Sequence, residues 1–169
     1  PAALFNDISS HWAKKYIEAL KKKNILNGFG DGSFKPEANV TRAEFSKMLC
    51  ELLSVPKAAY AAKFGDVKET DWFAPYVLAL SEKGTIAGYN GMFEPQKPIS
   101  RQDMAVMVQR ALKERGESFE KSAVFSDEEQ ISDYAKEAVK ALGGAEIING
   151  YNNEFMPRSN ATRAQAAAI

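Results

Sequence analysis

The sequence predicts a mainly α-helical fold made of three helix-loop-helix repeats, and two observations carry that prediction. First, Thr41-Arg42-Ala43-Glu44 returns as Ser100-Arg101-Gln102-Asp103 and as Thr162-Arg163-Ala164-Gln165, with the arginines 59 and then 62 residues apart. Each copy has the same approach: Gly28-Phe29-Gly30-Asp31-Gly32-Ser33-Phe34-Lys35-Pro36, Gly88-Tyr89-Asn90-Gly91-Met92-Phe93-Glu94-Pro95, and Gly150-Tyr151-Asn152-Asn153-Glu154-Phe155-Met156-Pro157. Second, the apolar residues ahead of each approach recur at offsets of 0, 1, 4, 5 and 8, which line one face of an α-helix and not a strand. Self-similarity at a fixed period of this kind is the mark of a repeat architecture.

In chain order, each unit opens with Phe-x-Asp: Phe5-Asn6-Asp7, Phe64-Gly65-Asp66 and Phe125-Ser126-Asp127. The first helix follows, with Trp12, Ala13, Tyr16, Ile17 and Leu20 on its apolar face. The second unit has Trp72, Phe73, Tyr76, Val77 and Leu80 there, and the third Tyr134, Ala135, Ala138, Val139 and Leu142. Ser10, Asp71 and Asp133 stand where N-caps are expected. A short apolar pair then leads to Gly28, Gly88 or Gly150, expected to serve a positive-φ backbone, and to a hairpin-like loop rich in Gly, Asn and Asp. Proline after the loop blocks a helix until the Thr/Ser-Arg motif.

That motif starts the second helix. Thr41, Ser100 and Thr162 are N-caps, and Glu44, Asp103 and Gln165 lie three residues on, as a capping box requires, aspartate fitting less well. Phe45, Met48, Leu49, Leu52 and Leu53 match Met104, Met107, Val108, Ala111 and Leu112 beyond it. The third copy offers only Ala166 and Ile169, so its last helix is expected to be clipped and to fray. The repeats span residues 1–55, 60–115 and 122–169, joined by linkers near 54–63 and 113–124; the second linker is charged and expected to be exposed and mobile. No unit of this size buries both its helices alone. Three units either stack linearly or close around a pseudo-threefold axis, and spacing does not choose between them.

Composition narrows the function. The 22 basic and 22 acidic residues cancel, which removes the bulk electrostatic argument for nucleic acid or an anionic membrane. No apolar run is long enough for a membrane span. The single cysteine, Cys50, has no partner for an intramolecular disulfide and sits on an apolar helical stripe, as a buried hydrophobe does; the alternative is a reactive thiol, which requires an exposed, electropositive setting. No basic-then-apolar signal segment is visible at the start, which says little about compartment. The lone histidine, His11, reads as a solvent-facing helix-start residue with no nucleophile to serve. Cysteines and histidines do not group as zinc ligands, and Asp31-Gly32-Ser33 lacks the spaced acids of a calcium loop. An enzyme is not expected, nor a cofactor.

The repeated residues point instead to binding or to internal bonds. An arginine in the first turn of a helix opposes the macrodipole at a cost of up to about 1 kcal/mol. Either a carboxylate of the fold, such as Asp7, Asp66 or Asp127, or an external anion at the helix terminus compensates Arg42, Arg101 and Arg163. Trp12, Trp72 and Tyr134 are either core residues or the walls of a groove for a sugar. The aspartates are turn-formers, salt-bridge partners or acceptors for ligand hydroxyls, and Gly28, Gly88 and Gly150 also leave room for a ligand against the backbone.

Phe-x-Asp, a Trp-led helix, Gly-Tyr/Phe with a Gly/Asn turn, Phe-x-Pro and Thr-Arg-Ala-Glu, three times over, closely resemble the S-layer homology (SLH) domain. The resemblance covers nearly the whole chain, most specifically in the first repeat. It implies a closed, three-pronged, pseudo-threefold spindle around a central helical bundle. It also implies non-covalent anchoring at the bacterial cell surface, through secondary cell-wall polysaccharide bearing ketal-pyruvylated N-acetylmannosamine, with a lattice or a fused cargo domain beyond. Arg42, Arg101 and Arg163 would then pair with the acidic group, with Trp12, Trp72, Tyr134, Asp7, Asp66, Asp127, Gly28, Gly88 and Gly150 lining the grooves. Because Tyr134 and Gly143-Gly144 depart from the pattern in the third unit, the grooves of Arg42 and Arg101 rank above that of Arg163. The competing reading is a helical-repeat module for protein interaction or lattice assembly.

Overall fold

The computed structural model describes residues 4–169. Six α-helices run in the expected alternation: α1 (Lys14–Lys22), α2 (Arg42–Leu52), α3 (Ala74–Glu82), α4 (Arg101–Glu114), α5 (Asp133–Gly144) and α6 (Arg163–Ala168). Among the described residues the β structure is limited to isolated bridges.

Those bridges close the chain on itself. The segment ahead of each motif pairs with the other two: Thr41 with Pro98, Ser100 with Asn160, and Asn39 with Thr162. At their meeting point the backbone forms a ring of three bonds. Val40 N–H donates to the Ala161 carbonyl (3.0 Å), Ala161 N–H to Ile99 (2.8 Å), and Ile99 N–H to Val40 (3.0 Å). All three side chains are fully buried. Short strand edges are thereby satisfied without a sheet. The helices follow the same cyclic order, each motif helix packing on the first helix of the next unit: α2 on α3, α4 on α5, and α6 back on α1. The closed arrangement is therefore the one adopted, and the linear stack is not.

The second helices begin as expected. Thr41 and Thr162 form full capping boxes with Glu44 and Gln165. Ser100 accepts from the Asp103 amide (3.2 Å), but the Asp103 carboxylate turns elsewhere, accepting from the Tyr134 hydroxyl. The first helices begin differently from expectation. α1 and α3 start at Lys14 and Ala74, after tight turns closed by Lys14 N–H to His11 O and Ala74 N–H to Asp71 O. Ser10 and Asp71 therefore lie outside the helices, and Asp133 is already inside α5, behind Ser132. His11 is also not solvent-facing: its side chain is 14% exposed, its Nδ1 accepts from the Ala13 amide and its Nε2 meets Glu37 at 2.7 Å.

The linkers are partly structural. Ala58 N–H bonds Pro75 O, and the Tyr60 hydroxyl donates to Val67 O, so the first linker covers α3, which is buried on nearly every side. In the second, Phe119 and Ala123 pack on the core although Gly116 and its neighbours are exposed. Cys50 is buried as expected, and burial pushes its thiol up to about 12.

Candidate inter-repeat binding grooves

Each unit builds a rigid hairpin, and the Phe-x-Asp acid is what holds it. Asp7 takes the amides of Phe34 (2.8 Å) and Lys35 (2.7 Å) on its two carboxylate oxygens. Asp66 does the same for Phe93 and Glu94, and Asp127 for Phe155 and Met156. The second residue of each pair is left-handed, with φ of 56°, 58° and 56° at Lys35, Glu94 and Met156. A carboxylate accepting two amides offsets the strain of those non-glycine residues. Neither the salt bridge to arginine nor a ligand contact is therefore the aspartates' first role.

Gly28, Gly88 and Gly150 are needed for space and not for positive φ, the expectation that the structure corrects. A Cβ at Gly88 would lie 2.5 Å from the Met92 carbonyl and 2.6 Å from the Phe64 ring; Gly28 and Gly150 are equally crowded, by Ser33 O and Phe5 and by Glu154 O. Positive φ falls instead at the turn tips, as at Asn90-Gly91 and Asn152-Asn153, the signature of a type I′ hairpin turn.

The arginines reach across to these hairpins. Arg42 Nε donates to Phe93 O (2.8 Å), Arg101 Nε to Phe155 O (2.8 Å), and Arg163 Nε to Phe34 O (3.0 Å). Each guanidinium also lies 4.6–4.9 Å from the ring of that same phenylalanine. Arg101 and Arg163 add Nη2 bonds of 3.0 Å to the carbonyls of Asn149 and Asn27, fixing the guanidinium plane. Burial pulls both guanidinia below their ordinary value, opposed by Asp127 for Arg101 and by Glu44 and Asp7 for Arg163. They remain cations at neutral pH.

A third unit completes each groove. The Arg101 groove is lined by Asn149 and Phe155, by Gln165 and by Trp12. The Arg163 groove, a cleft of about 280 Å³, is lined by Asn27 and Phe34, by Glu44 and Lys47 and by Trp72. Cyclic order puts Arg42 with Phe93, Asp103 and Tyr134; Asp103 lies 3.9 Å from Arg42 and accepts from the Tyr134 hydroxyl at 2.7 Å. Trp12 and Trp72 are 58% and 54% exposed, which removes the core-packing alternative and leaves two indole faces at groove mouths. Tyr134 stands beside Arg42 and not Arg163, so its departure counts against the Arg42 groove.

The S-layer homology domain model matches residues 4–46, 63–105 and 124–167. The chain belongs to this family. Its SLH sequence is 40% identical over 169 residues to an amylopullulanase of Thermoanaerobacterium thermosulfurigenes, covering 98% of the chain but 9% of that protein. It is 29% identical over 152 residues to a cellulosome-anchoring protein of Acetivibrio thermocellus, covering 86% of the chain and 34% of that protein. An S-layer protein of Bacillus anthracis is 28% identical over 165 residues, covering 96% of the chain and 20% of that protein. The chain thus spans about a tenth to a third of the length of these relatives.

Several groove residues escaped the sequence reading. Asn27 and Asn149 act through main-chain carbonyls, which no side-chain pattern reveals. Glu44, Asp103 and Gln165 were read only as caps, yet each sits beside the preceding unit's arginine, Glu44 at 3.3 Å from Arg163. Phe29, Tyr89 and Tyr151 are exposed at the hairpin tips, and the Phe29 ring lies 5.1 Å from Arg163. Their aromatic recurrence was the available signal. Among the described residues, no group of His, Cys, Asp and Glu is arranged to hold a metal ion, and no helix is long and apolar enough to cross a membrane.

Proposed function

We propose that the chain anchors a cell-surface protein non-covalently to the bacterial cell wall. It does so by binding secondary cell-wall polysaccharide that carries ketal-pyruvylated N-acetylmannosamine. The observation that carries the reading is a partly desolvated guanidinium, fixed by main-chain carbonyls, below an exposed indole, at the Arg101 and Arg163 grooves. The remaining guanidinium donors meet the pyruvyl carboxylate, the Trp12 or Trp72 face covers the pyranose, and Lys47 adds a second cation at Arg163. A charge-assisted hydrogen bond contributes roughly 1.5–3 kcal/mol, so one groove binds modestly and several on one polymer bind by avidity. The relatives named for anchoring and for the S-layer support this reading, and cargo of the enzyme-named kind fits a chain matching a small part of each.

Co-sedimentation with purified wall polysaccharide, before and after mild acid removes its pyruvate ketals, tests the reading. The chain should pellet with the intact polymer and stay in solution with the stripped one. A second reading, protein or lattice assembly, is favoured by one feature: an apolar cleft of about 400 Å³ lined by Leu20, Phe45, Leu49, Leu52, Val108 and Leu112. Equal pelleting with both polymers, or with neither, would leave that reading standing.

A further inference from the structure

The last two residues of the second motif and the third unit's aromatic, all departures from the repeat pattern, meet at one groove. Gln102 stands where the other motifs have Ala43 and Ala164, Asp103 where they have Glu44 and Gln165, and Tyr134 where the other units have Trp12 and Trp72. The Tyr134 hydroxyl donates to Asp103 Oδ1 (2.7 Å) and accepts from Gln102 Nε2 (3.1 Å). Gln102 is itself buried and fixed by Ser132, whose amide donates to Gln102 Oε1 (3.0 Å) and whose hydroxyl accepts from Gln102 Nε2 (3.1 Å). The other Asp103 oxygen lies 3.9 Å from Arg42 Nη1.

We infer that this cluster ties up the Arg42 guanidinium and the Tyr134 ring, although that ring is 58% exposed, so that the Arg42 groove takes no sugar and the chain carries two working sugar sites, those of Arg101 and Arg163. The inference rests on the sugar-binding reading above.

Charge argues the same way as geometry. At Arg101 the facing residue is the neutral Gln165. At Arg163, Glu44 is offset by Lys47 on the same helix. At Arg42, Asp103 neutralises the guanidinium and Val106 replaces the lysine. An incoming carboxylate would meet Asp103 at close range, and like charges sharing a site repel. It would also have to break the Tyr134 bond, whereas an indole at that position has no hydroxyl to tie it back.

Calorimetry with the pyruvylated N-acetylmannosamine monosaccharide tests this. The intact chain should bind two equivalents. Trp12→Ala with Trp72→Ala should abolish binding, both substitutions being at exposed positions. Reverting the cluster with Gln102→Ala, Asp103→Gln and Tyr134→Trp should raise the stoichiometry to three. Three equivalents in the unaltered chain, or one retained by the double tryptophan variant, overturns the inference while leaving the sugar reading intact. No binding by the unaltered chain overturns the sugar reading, and alkaline difference titration against Tyr134→Phe then judges the cluster. Burial, then the Asp103 bond, push the Tyr134 phenol up to about 12. Ionisation there supports the closed cluster, and ionisation near an ordinary phenol's value of about 10 overturns it.

Discussion

Gly88 shows how a single hydrogen atom in place of a side chain keeps a hairpin in register. The Met92 carbonyl and the Phe64 ring occupy the space of its absent Cβ. Gly88→Ala therefore pushes the hairpin off Asp66 and should cost about 1–3 kcal/mol, the range for overpacking a tight site, measured by urea denaturation. Such crowding is invisible in a sequence, where a recurring glycine reads first as a positive-φ turn; here positive φ falls on other residues of the hairpins, among them Lys35, Glu94 and Met156. Of the three roles open to the aspartates, the turn-forming one is what their hydrogen bonds show, but which turn each holds was hidden. Their partners are amides 27–29 residues onward, and a backbone amide carries no sequence signature. Cys50 adds a pH dependence. An unfolded thiol ionises near 8.5, while burial holds the folded one protonated to about 12. In that window the unfolded state binds fewer protons, so stability falls as pH rises. Relative to Cys50→Ala, the unaltered chain should lose stability from about pH 8.5 upward, and parallel pH–stability curves would contradict this.

At the scale of elements, the motif helices differ in what they bring to the centre. α2 and α4 present Leu49, Leu52, Val108 and Leu112 to the apolar cleft, whereas α6 presents Ala166, Ala167 and Ala168. Six residues cannot sustain a helix without packing, so the Thr162–Gln165 box and the alanine contacts with α1 carry α6. Hydrogen exchange should show Ala167–Ile169 exchanging faster than Val108–Leu112. Equal protection would contradict the fraying expected from the sequence. The helix periodicities were legible because the inner positions of each apolar face are buried, Ile17, Val77 and Val139 fully so at equivalent positions, whereas the leading aromatics Trp12, Trp72 and Tyr134 are exposed. The starts of α1 and α3 were not, because tight turns precede them and no side chain caps them.

At the scale of the molecule, the ring of bonds among Val40, Ile99 and Ala161 makes each groove a property of all three units. One supplies the arginine, the next its hairpin and motif, and the third its aromatic. The sequence named the three motif arginines and the helix-leading aromatics but not which unit faces which, and so it joined Tyr134 to Arg163 when closure places it beside Arg42. Regular spacing alone fits a linear stack as well as a ring; only inter-unit bonds distinguish them. The central claim is that the grooves recognise an acidic sugar through guanidinium and indole together. The most direct measurement is calorimetry of this chain against pyruvylated N-acetylmannosamine and its pyruvate-free counterpart. The account predicts binding of the pyruvylated sugar alone, weakening with added salt as a charge-assisted contact must. Equal affinity for the two sugars would contradict it.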